Sequence, residues 1–278
     1  MSLSKEVKTG RFKSAFSRKQ LCIPYAIFLA LFVVLPLFIV VYYAFTDING
    51  VFTLHNFISF FSDTTKVTTL LISILVAFLV TLICILIAYP VALILSKMNK
   101  KIAFMLLLLF VMPMWINFVL RAMAMKELLS LIGINLGSFA NIIGLTYDFF
   151  PFMVMPLYST LIKMDRSLEE AALDLGASKT KVFLKITLPL SVPGIISGAM
   201  MVFLPVMSCY VITDTFSGST GFTVIGKLIA WCFMGENGTM INTNGGATIS
   251  LILLVIMFVT MLFTGGFKSD NNLRGTNL

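Results

Sequence analysis

Apolar residues run almost unbroken along this chain, and its polar positions fall in a few short islands between the runs. Six stretches stand out, at 21–45, 67–95, 102–120, 139–162, 191–213 and 247–267. Each is near or above the roughly 20 residues an α-helix needs to cross a bilayer. The runs are continuous rather than alternating, so they predict spanning helices and not the strands of a membrane barrel. Pro24 falls in the first turn of the first run, where proline is tolerated, and Pro36 predicts a kink in it. A basic head before an apolar run also describes a signal peptide. Here the run is too long and no small-residue cleavage site follows, so 21–45 is expected to remain as the first span behind a tail of residues 1–20. Between the last two runs lies a long segment, 214–246, rich in Gly, Ser, Thr and Asn (Ser217-Gly218-Ser219-Thr220-Gly221 and Asn242-Thr243-Asn244-Gly245-Gly246). Residues Ile225 to Phe233 within it are expected to form a short helix or re-entrant element. A loop of that length is more often functional than idle, and contact with an external partner is expected there.

Composition agrees with the pattern. The chain is 59% hydrophobic and 12% charged, with mean hydropathy +1.01, whereas charged residues make up about a quarter of a soluble domain. An all-α integral membrane protein with six spans is expected, with no separate soluble domain and no internal repeat. The order of the spans puts 1–20, 96–101, 163–190 and 268–278 on one side, and these segments hold 16 of the 20 Lys and Arg. The positive-inside rule makes that side cytoplasmic, with both termini inside. Only Lys66, Arg121, Lys126 and Lys227 lie opposite, against six acidic residues (Asp47, Asp63, Glu127, Asp148, Asp214 and Glu236), so the outer half carries about −2 and the inner about +10. A slightly acidic outer mouth suits a cationic solute better than an anionic one.

The polar island at 163–190 has the most informative pattern. It contains Glu169-Glu170-Ala171-Ala172-Leu173-Asp174-Leu175-Gly176 and runs on to Ile186-Thr187-Leu188-Pro189. Ser167 followed three residues later by Glu170 reads as a capping box opening a short helix. Gly176 suits a left-handed stop. A second short helix is expected from near Ser178, carrying Lys179, Lys181 and Lys185, with Pro189 closing the loop. A compact helix–Gly–helix at the membrane surface is a docking knob.

Several chemistries are missing from the sequence. It has no GxxxxGK[ST] phosphate loop, no GxSxG and no HExxH. His55 is the lone histidine, and Cys22, Cys84, Cys209 and Cys232 show no CxxC spacing, so neither metal nor cofactor binding is expected. Nothing points to nucleic acid. The methionines at 112, 114, 123, 125, 153 and 155 read as adaptable packing at a subunit interface. An ion-coupled carrier working alone would need buried titratable groups, and Asp148 is the only carboxylate well inside a span. If this chain moves solute uphill, energy is expected to arrive through the cytoplasmic loop from another chain.

The island matches the Glu-Ala-Ala, three residues, Gly, nine residues, Ile-x-Leu-Pro pattern, and so resembles the coupling loop of ATP-binding-cassette (ABC) importer permeases. Further segments narrow the resemblance: Tyr89-Pro90-Val91-Ala92, Pro113-Met114-Trp115-Ile116-Asn117, Gly144-Leu145-Thr146-Tyr147, Pro151 to Tyr158, Leu173 to Lys179, and Leu204-Pro205 with Asp214. Over roughly 20–267 the chain resembles the B-type permeases of spermidine/putrescine ABC importers, within the binding-protein-dependent transport system inner membrane component family. Sulfate, thiosulfate and iron permeases share parts of these segments. The resemblance implies the type I importer permease fold in a bacterial cytoplasmic (inner) membrane, with a peripheral first helix and a working core over 67–267. It also implies a second homologous permease, two copies of a cytoplasmic ATPase that bind ATP and magnesium, and an extracytoplasmic polyamine-binding protein. Coupling would fall to Glu169, Glu170, Ala171, Ala172, Gly176, Ile186, Leu188 and Pro189.

Six residues are candidates for the solute path. Trp115 and Asn117 read either as an alkylammonium site of aromatic face and amide oxygen or as an interfacial anchor and packing amide. Asp148, where the family more often has an amide or apolar residue, is either a cation site or hydrogen-bonded to Tyr147 or to the partner permease. Tyr210 and Asp214 read as an outer gate or as an exposed loop start.

Overall fold

In a computed structural model the described residues are 18–216, 221–235 and 241–263. Most of the basic tail, the stretches 217–220 and 236–240 of the polar segment, and the expected end of the last span beyond 263 lie outside the described residues. The described residues form thirteen α-helices, with no β-strand among them.

The first span is α1 (Arg18–Leu29) and α2 (Leu35–Ala44), joined by a π-turn at Ala30–Val34. The expected disturbance at Pro36 takes this form: the wider turn just before it accommodates a residue with no N–H to donate. The side chains of this span are almost all exposed, as befits a peripheral lipid-facing helix, and α2 packs on the last helix. After α3 (His55–Ser62), α4 (Thr64–Lys97) runs 34 residues, opened by Asp63, whose carboxylate accepts from the Thr65 and Lys66 amides. Then come α5 (Lys100–Val111), α6 (Phe118–Leu131), α7 (Ser138–Leu161), α8 (Ser167–Asp174), α9 (Lys179–Val182), α10 (Leu188–Ser208), α11 (Tyr210–Phe216), α12 (Ile225–Met234) and α13 (Thr243–Phe263).

The core is the mutual packing of α4, α7 and α10. Without a hydrophobic force between helices in lipid, close approach depends on small residues. α4 supplies a buried stripe of Ala77, Cys84, Ala88 and Ala92, and α10 supplies Gly194 and Gly198, four apart on one face. A Cβ at Gly194 would stand 2.6 Å from Thr160 Oγ1, and one at Gly198 would stand 2.6 Å from Met153 Sδ. Both contacts are to α7. The serine on α4 at Ser73 accepts from the Ile225 amide at 2.7 Å, seating the start of α12 against the core.

The third span departs from the straight crossing expected over 102–120. α5 passes into a 3-10 turn at Met112–Trp115, and α6 leaves it at 101°. Asn117 causes the break: its side-chain oxygen accepts from the Val119 and Leu120 amides at 2.9 and 3.4 Å, which starts a new helix rather than continuing the old one. Among the described residues five helices are long and apolar enough to cross, and six spans result if this bent pair counts as one.

Candidate functional site

α8 is the polar island of the sequence, and its caps differ from expectation at one end. The capping box does not form. Ser167 is already inside the helix, and its amide donates to Asp165 Oδ1 at 3.0 Å, which draws the Asp165 carboxyl below its ordinary range. At the other end Gly176 (φ +81°) donates to the Leu173 carbonyl and Ala177 to the Ala172 carbonyl, the paired bonds of a left-handed helix stop. Ser178 then caps α9 through the Lys181 amide. α9 is not a separate knob helix, since it continues through a π-turn (Phe183–Thr187) directly into α10, making one helix from Lys179 to Ser208. Pro189 therefore does not close the loop. It follows directly on the π-turn, whose wider backbone accommodates a residue with no N–H to donate.

Glu169 and Glu170 are successive, so their side chains leave a helix about 100° apart and cannot share a role. Glu169 turns inward. Its Oε1 accepts from Thr187 Oγ1 at 2.7 Å, and its Oε2 pairs with Lys97 Nζ at 3.2 Å. Partial burial works against its charge, but the hydroxyl and the two neighbouring cations, Lys97 and Arg166, outweigh that and hold its carboxyl below the ordinary value. Arg166 Nη2 donates to the Ser96 carbonyl at 2.6 Å. Glu170 points outward, among exposed Leu168, Leu173 and Leu175, the last 89% exposed. Ala171 is exposed, Ala172, Ile186 and Leu188 are half-buried, and Pro189 is exposed. The surface presented carries the exposed carboxylates of Glu170 and Asp174, four apart on one face, with exposed leucines beside them.

Roughly 20 Å along α7 from its α8 end, Asp148 lies 2% exposed and pairs with the buried Arg121 of α6. Arg121 also donates to the Pro113 carbonyl at 3.1 Å, tying the two arms of the broken span to α7. Within the chain Asp148 thus pairs with Arg121 rather than with Tyr147, through one oxygen, while its other oxygen has no partner among the described residues. Its sequence signal was the rule that an intramembrane charge needs a partner. A third span ending at 120 leaves Arg121 on the outer surface, whereas the break at Met112–Trp115 brings it back onto Asp148. Removing both members from the outer count leaves its balance unchanged. Tyr147, partly exposed, lines an apolar groove with Ile83, Ile87, Met125 and Phe150. Trp115 is 79% exposed, and the Asn117 oxygen is occupied by its capping role. Asp214, on α11 with half-buried Tyr210, pairs with Lys227, whose ammonium lies 5.0 Å from the centre of the Trp231 ring. The six path candidates thus do not converge on one cavity.

Known proteins place this architecture. The sequence model described as "Binding-protein-dependent transport system inner membrane component" matches residues 85–269. The chain is 35% identical to the spermidine/putrescine transport system permease protein PotB of Escherichia coli (strain K12), with 84% of this chain and 91% of that one covered. The PotB of Salmonella typhimurium (strain LT2) is also 35% identical, with coverage of 84% and 88%. Among solved structures, a chain of a bacterial ABC transporter involved in import of the acidic polysaccharide alginate superposes with TM-score 0.69 at 18% identity, covering 88% of this chain and 94% of that one. The MetNI methionine ABC transporter in inward-facing conformations gives TM-score 0.55 at 18% identity, covering 72% and 93%. The helical core is thus that of ABC importer membrane subunits, and the chain belongs to the binding-protein-dependent transport system inner membrane component family.

Proposed function

We propose that this chain is the permease subunit of an ATP-driven importer that carries polyamines (spermidine or putrescine) into the cell. The observation that carries the reading is its 35% identity to spermidine/putrescine permeases over nine-tenths of their length. As a member of its family it is a multi-pass protein of the inner membrane. The shape of the polar island supports the coupling part of the reading. α8 and the turn after it present Glu170 and three exposed leucines as a knob while Glu169 fastens it to the membrane helices.

In this reading both termini and α8 lie in the cytoplasm, because Lys and Arg concentrate on that side. A second homologous permease completes the path, the knobs of the pair dock on two ATPase subunits, and an extracytoplasmic binding protein delivers the polyamine. ATP and magnesium belong to the ATPase subunits, and this chain has no catalytic role of its own. Nucleotide binding favours one packed arrangement of the permease pair and hydrolysis the other. A carrier driven by an ion alone is disfavoured, since its best candidate group, Asp148, is already engaged by Arg121.

The test is uptake of labelled spermidine by the assembled complex in proteoliposomes. ATP-dependent accumulation that unlabelled putrescine or spermidine suppresses, and sulfate does not, is the expected result. Accumulation of sulfate or iron in place of spermidine would replace the substrate assignment. Uptake that persists without ATP and ATPase would replace the mechanism.

A further inference from the structure

Two adjacent glutamates open α8, and the one outside the Glu-Ala-Ala triplet makes the side-chain ties to the rest of the fold. We propose that Glu169 is a positioning residue of the transport cycle, passing any displacement of α8 to α4 and α10 together through Lys97 and Thr187. This inference rests on the reading of the chain as an ATP-driven permease.

Lys97 is the last residue of α4, and Thr187 is the last residue of the π-turn that runs into α10. Glu169 gives one oxygen to each, at 3.2 and 2.7 Å. α4 and α10 are two of the three helices that pack as the core, so one carboxylate spans the point where both leave the membrane region. Thr187 is 3% exposed and the Glu169 side chain 18%, so the contact is sheltered. An isolated exposed ion pair does little to hold two elements together. Here both oxygens are engaged, and the parallel bond from Arg166 to the Ser96 carbonyl fixes the neighbouring turn to the same end of α4.

Otherwise α8 packs lightly against α9 and the π-turn, and the backbone on either side of it can bend. Residues 162–166 precede it, and after it comes Gly176, around which a Cβ would meet nothing within 4 Å. Without the Glu169 ties, movement of α8 would be absorbed in those connections. With them, α8 and the ends of α4 and α10 move as one piece. Glu170, which faces away, takes no part in this and is left for the partner surface.

The experiment measures solute transported per ATP hydrolysed by the reconstituted importer. Glu169→Ala is expected to assemble with the ATPase and to hydrolyse ATP, while uptake per ATP falls at least about fivefold. Exchanging the charges, with Lys97→Glu and Glu169→Lys in one chain, is expected to bring the ratio back to within about twofold, because the pair is restored and the Thr187 hydroxyl can accept as well as donate. An unchanged ratio in Glu169→Ala overturns the proposal. So does loss of ATPase assembly, which would make Glu169 a docking residue, or a failure of the charge exchange to restore the ratio. If the unmutated complex shows no link between uptake and ATP, the permease reading itself fails, a result visible before any variant is made.

Discussion

At the scale of single residues, the charges inside and beside the membrane make sense only in pairs. Arg121 and Asp148 neutralise one another where neither could stand alone. Arg121→Met alone leaves a buried carboxylate and Asp148→Asn alone leaves a buried guanidinium, and breaking such a pair costs about 3–5 kcal/mol. Both single variants are expected to melt well below the native protein in detergent, whereas the double variant should recover most of the difference. If Asp148→Asn melts as the native protein does while polyamine uptake falls, Asp148 serves solute rather than structure. Glu169 is different because its environment favours the charged form. Its carboxyl titrates below the ordinary value of 4.5, so its stabilisation is complete above that value and is lost as pH falls through the depressed one. Glu169→Gln should therefore melt lower than the native protein at neutral pH, and the gap should close in acid. A gap that widens in acid would give the opposite sign and refute the latch. The sequence made the need for a partner at Asp148 legible but not the partner itself. Which of two consecutive glutamates faces inward depends on where Lys97 and Thr187 come to lie, 72 and 18 residues away along the chain.

At the scale of elements, hydropathy located each unbroken helix among the described residues that is long and apolar enough to cross, because a span needs only length and apolar content. It missed events that depend on one or two polar atoms. Asn117 broke the third span by capping a new helix, although an apolar window continues across it. Pro189 looked like a loop end but fits the first turn of a helix that a π-turn has already opened. Gly176 is the helix stop that its residue type signals in the sequence, since its φ of +81° is a conformation glycine adopts without strain. Space around it is open, so a substitution there meets backbone strain alone. Gly176→Val is expected to cost about 1–2 kcal/mol locally and to uncouple uptake from ATP hydrolysis, while Gly176→Asn, which tolerates the left-handed region, keeps both. Equal coupling in the two variants would remove the role given to this turn. The close approach of α10 to α7 makes a contrasting case. Gly194→Val would drive side-chain atoms into stiff Thr160, at about 1–3 kcal/mol for overpacking, lowering the melting temperature whatever the state of the loop.

At the scale of the whole molecule, three packed helices form a body with a polar knob fastened to it at one end and the ion pair Asp214–Lys227 on a separate helix pair. The long polar segment holds a short helix, α12, as expected, and its amides also secure the first span: Asn244 donates to the carbonyls of Tyr43 and Thr46. The family was legible because the Glu-Ala-Ala pattern is a compact polar signature of fixed spacing within a strongly apolar chain. The solute path was not, because the candidate residues named from the sequence lie apart in the fold. The central claim is that energy enters at α8 on the cytoplasmic side. The most direct test places single cysteines at Leu175, which ends α8, and at Ile48, 87% exposed in the loop after the first span. Bifunctional maleimide is then applied to inside-out vesicles carrying the assembled importer. The account predicts that Leu175→Cys cross-links to the ATPase and that the product loses ATP-driven spermidine uptake, while Ile48→Cys yields no ATPase adduct. An ATPase adduct at Ile48→Cys with none at Leu175→Cys would contradict it.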